Sequence, residues 1–449
     1  MTSVPDDYTD PGVGTPEEAW TAVLTTVGRD PATLQGVRRL VVVSAHPDDE
    51  TLGAGGLIAT AAAAGLDVHL LCVSDGQGSH PRSPTHTPEA LAARRAEEYA
   101  AAAGELGVGA ASLTRLGLPD GALADHVATV TTALVDLIGD GRDTVLASTW
   151  TEDGHPDHEA VGRAAAAAAR RTDAEHWQFP AWFWHWAAPG DARLRTFRSF
   201  PLTVEARDAK SRAVAAHASQ VAPLSSAPGD ETLLDAAFLA HFARDHEWFV
   251  VAPGAESPDD ELEEVHRDAE DPWGVDSRWY EHRKRDLLLA ALPQPRFHRV
   301  LEVGCSTGAL TAVLSTRADR VLGADRSETA LRGARRRLTD HPDVALALLD
   351  VPAEWPDDES FDLVVVSEVG YFLSPAALDR LVTRVAETLP PDGVLVLCHW
   401  RHRVDGWVMD AERVHAAFED RRMPPLQATY RDRDVELRVH SAAWPPYDE

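Results

Sequence analysis

The sequence predicts two α/β domains in tandem, each with a mostly parallel β-sheet covered by helices on both faces. Short runs that are apolar at almost every position recur along the chain, and alanine-rich stretches of helical length separate them. Strands that are apolar on both faces are typical of parallel sheets buried between helices. A third observation is the acidic, proline-containing stretch at 253–270, which has the composition of a linker between two domains.

The first domain is assigned to residues 1–252. Its predicted strands are the apolar runs 40–45, 67–74, 112–118, 144–149 and 179–186. Its predicted helices lie between these strands, near 53–64, 88–106, 122–138 and 157–171. The regular alternation of strand and helix predicts a Rossmann-like domain, in which ligands bind beyond the carboxyl ends of the strands.

The second domain is assigned to residues 271–449 and repeats this alternation with an unrelated sequence. Its predicted strands are 298–304, 319–324, 344–349, 361–367 and 393–398. Its predicted helices lie near 278–291, 308–316, 328–338 and 375–389. We therefore expect a second Rossmann-like domain after the linker.

The composition of the 449-residue chain excludes several classes of protein. Hydrophobic residues make up 44% of the chain, but no apolar run is long enough to span a membrane. The N-terminal stretch MTSVPDDYTD lacks the features of a secretory signal. A net charge of -30 argues against a nucleic-acid partner, because a phosphate backbone requires a basic surface. The sequence makes no prediction of the oligomeric state.

The three cysteines indicate the compartment. Cys72, Cys305 and Cys398 are far apart in the chain, and each lies in or beside an apolar run. Their number and positions favour buried thiols over a disulfide framework. We therefore expect a cytoplasmic protein.

Polar clusters follow two predicted strands of the first domain. The stretch LVVVSAHPDDETLG places His46 and Asp49 after one strand, and the stretch HPDH places His158 after another. Because the carboxyl ends of parallel strands meet at one edge of the sheet, we expect the two clusters to converge. Two imidazoles and one carboxylate are a typical ligand set for a catalytic zinc ion, or another divalent metal, with an open position for water.

The remaining groups of the two clusters suit the chemistry of hydrolysis. Asp48 is next to a predicted ligand but is expected to point elsewhere, so it is the candidate base that takes a proton from water. His155 is the candidate donor to a developing oxyanion, with Asp157 holding its tautomer. We expect Glu50 to support the site or to begin a helix.

Two other interpretations remain open at this point. A single His-Pro-Asp sequence is often a turn in which the aspartate caps a helix. Two such clusters at two strand ends are less readily explained as two capping turns. A set of two histidines and one carboxylate also binds iron in oxygenases. Those sites are expected on all-β barrels, whereas this region alternates strand and helix.

Residues 38–250 resemble the PIG-L/LmbE family of zinc-dependent N-deacetylases through the motifs AHPDDETLG and HPDH. Members of that family act on N-acetylglucosaminyl groups of various conjugates, so a small amino-sugar conjugate is the expected substrate. The resemblance implies the same metal ligands, the base Asp48 and a supporting role for His155 with Asp157. It further implies substrate contacts from Arg95, in the stretch RRAEE, and from Asp120, in the stretch LGLPDG. A surface ion pair and a turn are the structural alternatives for these two residues.

A glycine-rich turn in the second domain indicates a nucleotide-containing cofactor. Gly304 and Gly308 lie between a predicted strand and helix, and Asp325 ends the next strand, where it can accept from ribose hydroxyls. NAD and S-adenosylmethionine both fit this pattern. Glu302 precedes the first glycine by two residues, as in the E/D-x-G-x-G-x-G motif of class I methyltransferases, which favours S-adenosylmethionine.

Two further residues complete that prediction. Asp350, at a third strand end, is expected to face the adenine amine. Ser306 stands where the motif commonly has a glycine, so we expect less room there but not a loss of binding. The remaining alternative is a Rossmann-like domain that binds no ligand.

Residues 270–400 resemble the nodulation-type N-methyltransferases in the segments DPWGVDSRWYEHRK, LEVGCSTGALT and FDLVVVSEVGYFLS. Those enzymes methylate the amine of a deacetylated glucosamine. The resemblance implies that Tyr280 closes over the cofactor and that Glu368 and Tyr371 lie beside the methyl acceptor. His399, after the strand GVLVLC, is the candidate base, because an amine attacks only when it is neutral.

The order of the domains predicts a bifunctional enzyme. Hydrolysis of an N-acyl group by the first domain exposes an amine, and the second domain could methylate it. One alternative is a second domain that binds S-adenosylmethionine as a regulatory module. Others are two activities on different positions or substrates, and a first domain that removes a longer acyl group.

Overall fold

The structure is a computed structural model that describes residues 14–25, 27, 31–252, 261–357, 359–419 and 423–442. The chain divides into two units, Met1–Glu256 and Ser257–Glu449. Among the described residues, each unit contains one seven-stranded sheet, and the strand order is the same in both when the strands are counted from the start of each unit.

The first unit is built on strands β1–β7 in the order β3-β2-β1-β4-β5-β7-β6. Its strands are β1 (Arg39–Ser44), β2 (Asp67–Ser74), β3 (Leu113–Leu118), β4 (Thr144–Thr149), β5 (Glu175–Phe179), β6 (Phe197–Pro201) and β7 (His246–Ala252). Its helices are α1 (Glu17–Leu24), α2 (Asp49–Ala63), α3 (Pro88–Glu105), α4 (Val127–Ile138), α5 (Pro156–Thr172), α6 (Phe183–Trp186), α7 (Val204–Ala216), α8 (Ala218–Val221) and α9 (Ala236–Ala240).

The centre of this sheet is parallel and buried on both faces, as the sequence predicts. Strand β1 pairs in parallel with β2 and β4, and all six residues of β4 are buried. Strand β7 is antiparallel to both β5 and β6. Helix α2 packs so closely on the sheet that a Cβ at Gly53 would overlap the ring of Phe179. This contact positions the first turn of α2 at the carboxyl end of β1.

The predicted strand 179–186 is wrong in most of its length. Strand β5 ends at Phe179, and Phe183–Trp186 form the short helix α6. Pro180 has no N–H to give to a neighbouring strand. The carboxylate of Asp153 accepts the backbone N–H groups of the next three residues at 2.8–3.1 Å, so these groups are not available for sheet pairing.

The second unit is built on strands β8–β14 in the order β10-β9-β8-β11-β12-β14-β13. Its strands are β8 (Phe297–Val303), β9 (Ala318–Asp325), β10 (Val344–Leu348), β11 (Leu363–Ser367), β12 (Val394–Trp400), β13 (Leu426–Arg431) and β14 (Val435–Ser441). Its helices are α10 (Glu261–Asp268), α11 (Trp279–Ala291), α12 (Ala309–Leu314), α13 (Glu328–Arg337), α14 (Pro375–Thr388) and α15 (Ala411–Ala417). Strand β14 is antiparallel to both β12 and β13.

Part of the predicted linker 253–270 is a helix of the second unit. The carboxylate of Glu263 in α10 accepts hydrogen bonds from the hydroxyls of Ser327 and Thr329 at the start of α13, the latter at 2.5 Å. The few apolar residues of the stretch, Leu262 and Val265, face a cavity of this unit. Glu263 therefore contacts the second domain, while residues 253–260 lie outside the described part of the chain.

Among the described residues, no helix is both long enough and apolar enough to cross a lipid bilayer.

Candidate functional site

The structure brings the two polar clusters of the first unit together at the carboxyl ends of β1 and β4. Ring nitrogens of His46, His155 and His158 lie within 4.8 Å of one another. Asp49 Oδ2 is 3.5 Å from His46 Nδ1, and Asp49 Oδ1 is 3.2 Å from His158 Nε2. The three predicted metal ligands therefore face one another.

The side chain of His158 is oriented by Asp153, which the sequence prediction missed. His158 Nδ1 donates to Asp153 Oδ2 at 2.8 Å, and this carboxylate is fully buried. The arrangement leaves Nε2 as the atom that faces Asp49. This nitrogen is buried and makes no well-aligned hydrogen bond among the described residues, although Asp49 Oδ1 lies 3.2 Å from it. The only sequence signal for Asp153 was its place in the loop that carries the HPDH motif.

The charges around these imidazoles suit a bound cation. Although burial opposes the charged form, Asp49 and Asp153 raise the pKa of His158 to about 9. In the metal-free protein a proton therefore occupies an atom that a metal would use, so binding of a metal would release it. A buried imidazole nitrogen that faces a carboxylate and lies next to a second imidazole fits a divalent metal such as zinc.

Asp157 faces His46 and not His155, contrary to the sequence prediction. Its carboxylate lies 3.2 Å from His46 Nε2 and accepts the N–H groups of Gly121 and Leu123. His155 Nδ1 instead accepts the backbone N–H of Asp157 at 3.2 Å, because His155 caps helix α5. This bond leaves the ring proton on Nε2.

His155 is an uncharged donor in this environment. Burial, together with the neighbouring His158 and His46, lowers its pKa to about 3. Its ring stacks on that of His158, with centroids 4.6 Å apart. A neutral imidazole with its proton on Nε2 can donate to a developing oxyanion without first losing a charge.

Asp48, the predicted base, sits in strained backbone between β1 and α2. Its φ angle is 132°, which a residue with a side chain rarely adopts, and such strain is concentrated at functional sites. Burial raises its pKa to about 7, against the effect of the Arg95 guanidinium, while Asp49 adds to the increase. A carboxylate poised near neutral pH suits a general base.

Arg95 and Asp120, the two residues expected to contact the substrate, both make contacts within the protein. Arg95 is buried, and its guanidinium donates to Asp48 Oδ2 at 3.1 Å and to the carbonyl oxygens of Pro47 and Gly76. Asp120 Oδ1 lies 3.1 Å from His46 Nε2, and its other oxygen accepts the N–H of Gly78. Arg95 therefore supports Asp48 and is not the surface ion pair considered as its alternative, and Asp120 lies beside His46. The substrate contacts expected of the two residues stay predictions.

A cavity of about 640 Å³ lies at the carboxyl ends of the strands in the second unit. Most of the site residues predicted for this domain line the cavity. They are Tyr280, Glu302, Gly304, Asp325, Asp350, Glu368 and Tyr371. The two exceptions are Gly308, which begins α12, and His399. Most of the residues predicted for this site therefore lie around one cavity.

The turn after β8 forms a tight cradle at one end of the cavity. Gly304 has a φ angle of 72°, and a Cβ there would overlap Val369. Ser306 also has a positive φ angle, 47°, which explains why a glycine is common at this position. The hydroxyl oxygens of Ser306 and Thr307 are buried without a hydrogen-bond partner among the described residues. Unpaired polar atoms in a glycine cradle fit a polar cofactor.

The acids around the cradle hold its shape. Glu302 accepts the Thr311 hydroxyl at 2.6 Å, and burial raises the pKa of Glu302 to about 8. Asp325 accepts the backbone N–H groups of Ser306 and Ser327 at 2.7 and 2.8 Å. Each oxygen of Asp325 keeps a free lone pair for a ligand hydroxyl.

Glu368 is the centre of a polar cluster at another wall of the cavity. Its carboxylate accepts the hydroxyl of Tyr280 at 3.0 Å and the hydroxyl of Tyr371. Lys284, which the sequence prediction missed, lies 3.4 Å from the same carboxylate. The φ angle of Glu368 is 61°, so strained backbone presents this side chain to the cavity.

His399 does not reach the cavity, which contradicts its predicted role as a base. Its side chain is fully buried, and its Nε2 accepts the backbone N–H of Gly370 at 3.3 Å. Its Nδ1 lies 3.0 Å from His415 Nε2. Burial holds the pKa of His399 well below its usual value, so both ring nitrogens act in the interior of the domain.

Two family models match the chain, one in each unit. Residues 41–169 match the model described as GlcNAc-PI de-N-acetylase, PIG-L. Residues 256–424 match the model described as nodulation protein S, NodS. The two matches cover the two candidate sites separately.

Curated relatives divide in the same way. A 1D-myo-inositol 2-acetamido-2-deoxy-alpha-D-glucopyranoside deacetylase of Mycobacterium sp. (strain KMS) is 33% identical over 189 residues, which cover 36% of this chain and 59% of the relative. Nodulation protein S of Rhizobium tropici is 35% identical over 130 residues, which cover 28% of this chain and 54% of the relative. The chain thus spans little more than half the length of each relative.

A solved structure also resembles the second unit. The N-methyltransferase NodS from Bradyrhizobium japonicum WM9, in complex with S-adenosyl-L-homocysteine, is 24% identical, with a TM-score of 0.37. The similarity covers 40% of this chain and 96% of that structure.

Proposed function

The chain joins a PIG-L-type deacetylase domain to a NodS-type methyltransferase domain, and from this premise we propose a bifunctional enzyme. The first domain hydrolyses the N-acetyl group of a small amino-sugar conjugate, and the second methylates the exposed amine with S-adenosylmethionine. The observation that carries the proposal is the presence on one chain of two sites whose chemistries are consecutive: the first site generates the nucleophile that the second requires.

His46, Asp49 and His158 would hold a divalent metal, proposed to be zinc, in the first site. When bound, this metal would supply Lewis acidity for the acyl oxygen and for the attacking water. Asp48 takes the proton of the water as its oxygen joins the acyl carbon. His155 donates a hydrogen bond from Nε2 to the oxygen that gains charge. Asp48 then gives the proton that it took from the water to the nitrogen, and the C–N bond breaks to give acetate and the amine.

Arg95 and Asp120 assist as positioning residues. Arg95 fixes Asp48 through a bond of 3.1 Å and opposes the rise in its pKa caused by burial. Asp120 and Asp157 flank His46 Nε2, at 3.1 and 3.2 Å, and fix the ring plane. A base and a ligand held in this way need no reorganisation during the reaction.

We expect Asp153→Asn to weaken metal binding by about 10- to 100-fold, a typical result when a carboxylate that orients a histidine ligand is lost. The Asp153 carboxylate accepts from His158 and from three backbone N–H groups, so an amide there must turn its NH₂ toward at least one donor. Competition with a chromogenic chelator measures the dissociation constant for zinc.

Glu152→Gln is the matched control, because Glu152 is the preceding residue and its side chain is 57% exposed. We expect this variant to bind zinc as the wild type does. Equal zinc affinity in Asp153→Asn and in the control would contradict the role given to Asp153. A thermal melt of each metal-free variant separates loss of the ligand orientation from general unfolding.

In the second site, the cradle after β8 would hold S-adenosylmethionine, which supplies the methyl group. Gly304 lets the cofactor approach the backbone, and Asp325 and Asp350 accept its ribose and adenine donors. Glu368 and Tyr371 bind the acceptor amine at the other wall. The nitrogen would gain the methyl group as the bond between that group and the cofactor sulfur breaks, which would leave S-adenosylhomocysteine, and the methylated nitrogen would give one proton to water.

We expect Gly304→Ala to weaken binding of S-adenosylhomocysteine by about 10-fold or more. A left-handed backbone conformation costs a residue with a Cβ about 1–2 kcal/mol, and the added methyl group would also overlap Val369. Isothermal titration calorimetry gives the affinity. Gly333→Ala in α13 is the control, since its Cβ would lie an ordinary 3.4 Å from Thr307; equal affinities in the two variants would count against the cradle.

Mass spectrometry tests the bifunctional proposal directly. N-acetylhexosamine conjugates are incubated with the enzyme, with and without S-adenosylmethionine and a chelator. We expect acetate release that the chelator stops, and a gain of one methyl group on the same nitrogen only when S-adenosylmethionine is present. Methyl transfer to oxygen or carbon would refute the coupled reaction. Bound cofactor without turnover of any free amine would indicate a regulatory module.

A further inference from the structure

Lys284 places a buried ammonium group in the wall of the cavity in the second unit. Its Nζ lies 2.9 Å from Glu281 Oε2 and 3.4 Å from Glu368 Oε1. It also lies 5.2 Å from the centre of the Tyr280 ring. The ammonium group of Lys284 is thus next to the Glu368 carboxylate, which is proposed to bind the acceptor amine.

The use of lysine here is selective. Of the 42 basic residues in the chain, only Lys210 and Lys284 are lysines. Both are buried and paired with glutamates, since Lys210 lies 2.8 Å from Glu247. An ammonium is a compact charge that fits where the larger planar guanidinium does not. The chain therefore keeps a positive charge at Lys284 in a space that favours the smaller group.

The groups around Lys284 come from several elements. Helix α11 contributes Glu281 and Tyr280, and the segment after β11 contributes Glu368 and Tyr371. Strands β8 and β12 contribute Glu302, Cys398 and His399, and the positive charge of Lys284 acts to lower the pKa of each. Although burial opposes its charged form, Glu368 and Glu281 raise the pKa of Lys284, so it remains an ammonium at neutral pH.

This charge matters if the second domain methylates an amine, as proposed above. Only the neutral amine has a lone pair for the methyl group. The carboxylates of Glu281 and Glu368 alone would stabilise the protonated amine, because opposite charges favour the charged form of a neighbouring group. A fixed positive charge nearby has the opposite effect on that amine.

We propose that Lys284 keeps the bound acceptor amine unprotonated by offsetting the charge of Glu281 and Glu368. Lys284 is thus a positioning residue that acts through Glu368 and does not itself touch the amine. The two phenols that donate to Glu368 hold the carboxylate so that its free lone pairs face the acceptor. The site therefore recognises an amine by its N–H groups without stabilising its protonated form.

The pH dependence of kcat for methyl transfer tests this inference, with the methyl glycoside of glucosamine as the probe amine. In Lys284→Met the loss of a positive charge favours the protonated amine, so the acid limb of the profile moves up by about one pH unit. In Glu281→Gln the loss of a negative charge moves the same limb down.

The outcomes separate this inference from the proposed function. Opposite shifts in Lys284→Met and Glu281→Gln support the role of Lys284, because a merely structural effect would lower kcat at every pH without moving the midpoint. Superimposable profiles in the wild type and both variants overturn it, while wild-type activity still supports the proposed function. If the wild type transfers no methyl group to the probe amine, both statements fall.

Discussion

Asp48→Asn removes acetate release from N-acetylated conjugates, with an expected fall in kcat of about 10²- to 10⁴-fold, as is typical for loss of a general base. The amide keeps the volume of the side chain but cannot take a proton from water. Burial raises the pKa of Asp48 to about 7, so the wild-type rate should rise with pH through the neutral range as the carboxylate becomes ionised. Enzymatic detection of acetate between about pH 5 and pH 9 measures both effects.

The same variant also tests the order of the two reactions. We expect Asp48→Asn to give no methylated product from an acetylated conjugate and a normal yield from the corresponding free amine. Glu97→Gln is the control, because Glu97 is an exposed acid on α3, the helix that carries Arg95. Methylation of the acetylated conjugate by Asp48→Asn would show that the second domain does not depend on the first.

Glu368→Gln is expected to lower methyl transfer by about 10²-fold or more and to leave deacetylation unchanged. The amide can accept only through one oxygen, whereas the carboxylate accepts from Tyr280 through Oε1 and from Tyr371 through Oε2. The amine therefore loses the acceptor that faces it, and one tyrosine loses its partner. Radiolabelled methyl transfer to a free amino sugar measures the loss.

Cofactor affinity distinguishes this effect from damage to the cradle. Glu368 lies at a different wall from Gly304, so calorimetry with S-adenosylhomocysteine should give the wild-type dissociation constant. Glu412→Gln, an exposed acid on α15, is the matched control. Wild-type methylation rates in Glu368→Gln would remove Glu368 from the acceptor site.

Local sequence patterns predicted some of the site residues and not others. The motifs HPDD and HPDH placed His46, Asp49 and His158 correctly at two strand ends, because parallel strands bring such loops to one edge of a sheet. The role given to Asp157 was wrong, because its carboxylate contacts His46 and only its backbone reaches His155. His399 also follows a strand, but its ring turns into the core and not into the cavity.

The fold shows the same division. The parallel strands at the centre of both sheets could be predicted, since strands buried on both faces are apolar at nearly every position. The antiparallel strands β6, β7, β13 and β14 were not predicted. Strand β14 alternates apolar and polar residues, as strands near a sheet edge often do, whereas β7 contains a continuous apolar run that was overlooked. Strand β13 is largely exposed.

The sequence by itself determined the two α/β domains, the polar clusters at their strand ends and the glycine cradle. These features depend on residues that are close together in the chain, where periodicity and motif spacing act. Three contacts were decided only by the tertiary structure. Asp153 orients His158, Arg95 donates to Asp48, and Lys284 lies next to Glu368. The last two contacts join residues far apart in the chain, and all three depend on how side chains turn as helices pack on the sheet, so no local pattern specifies them.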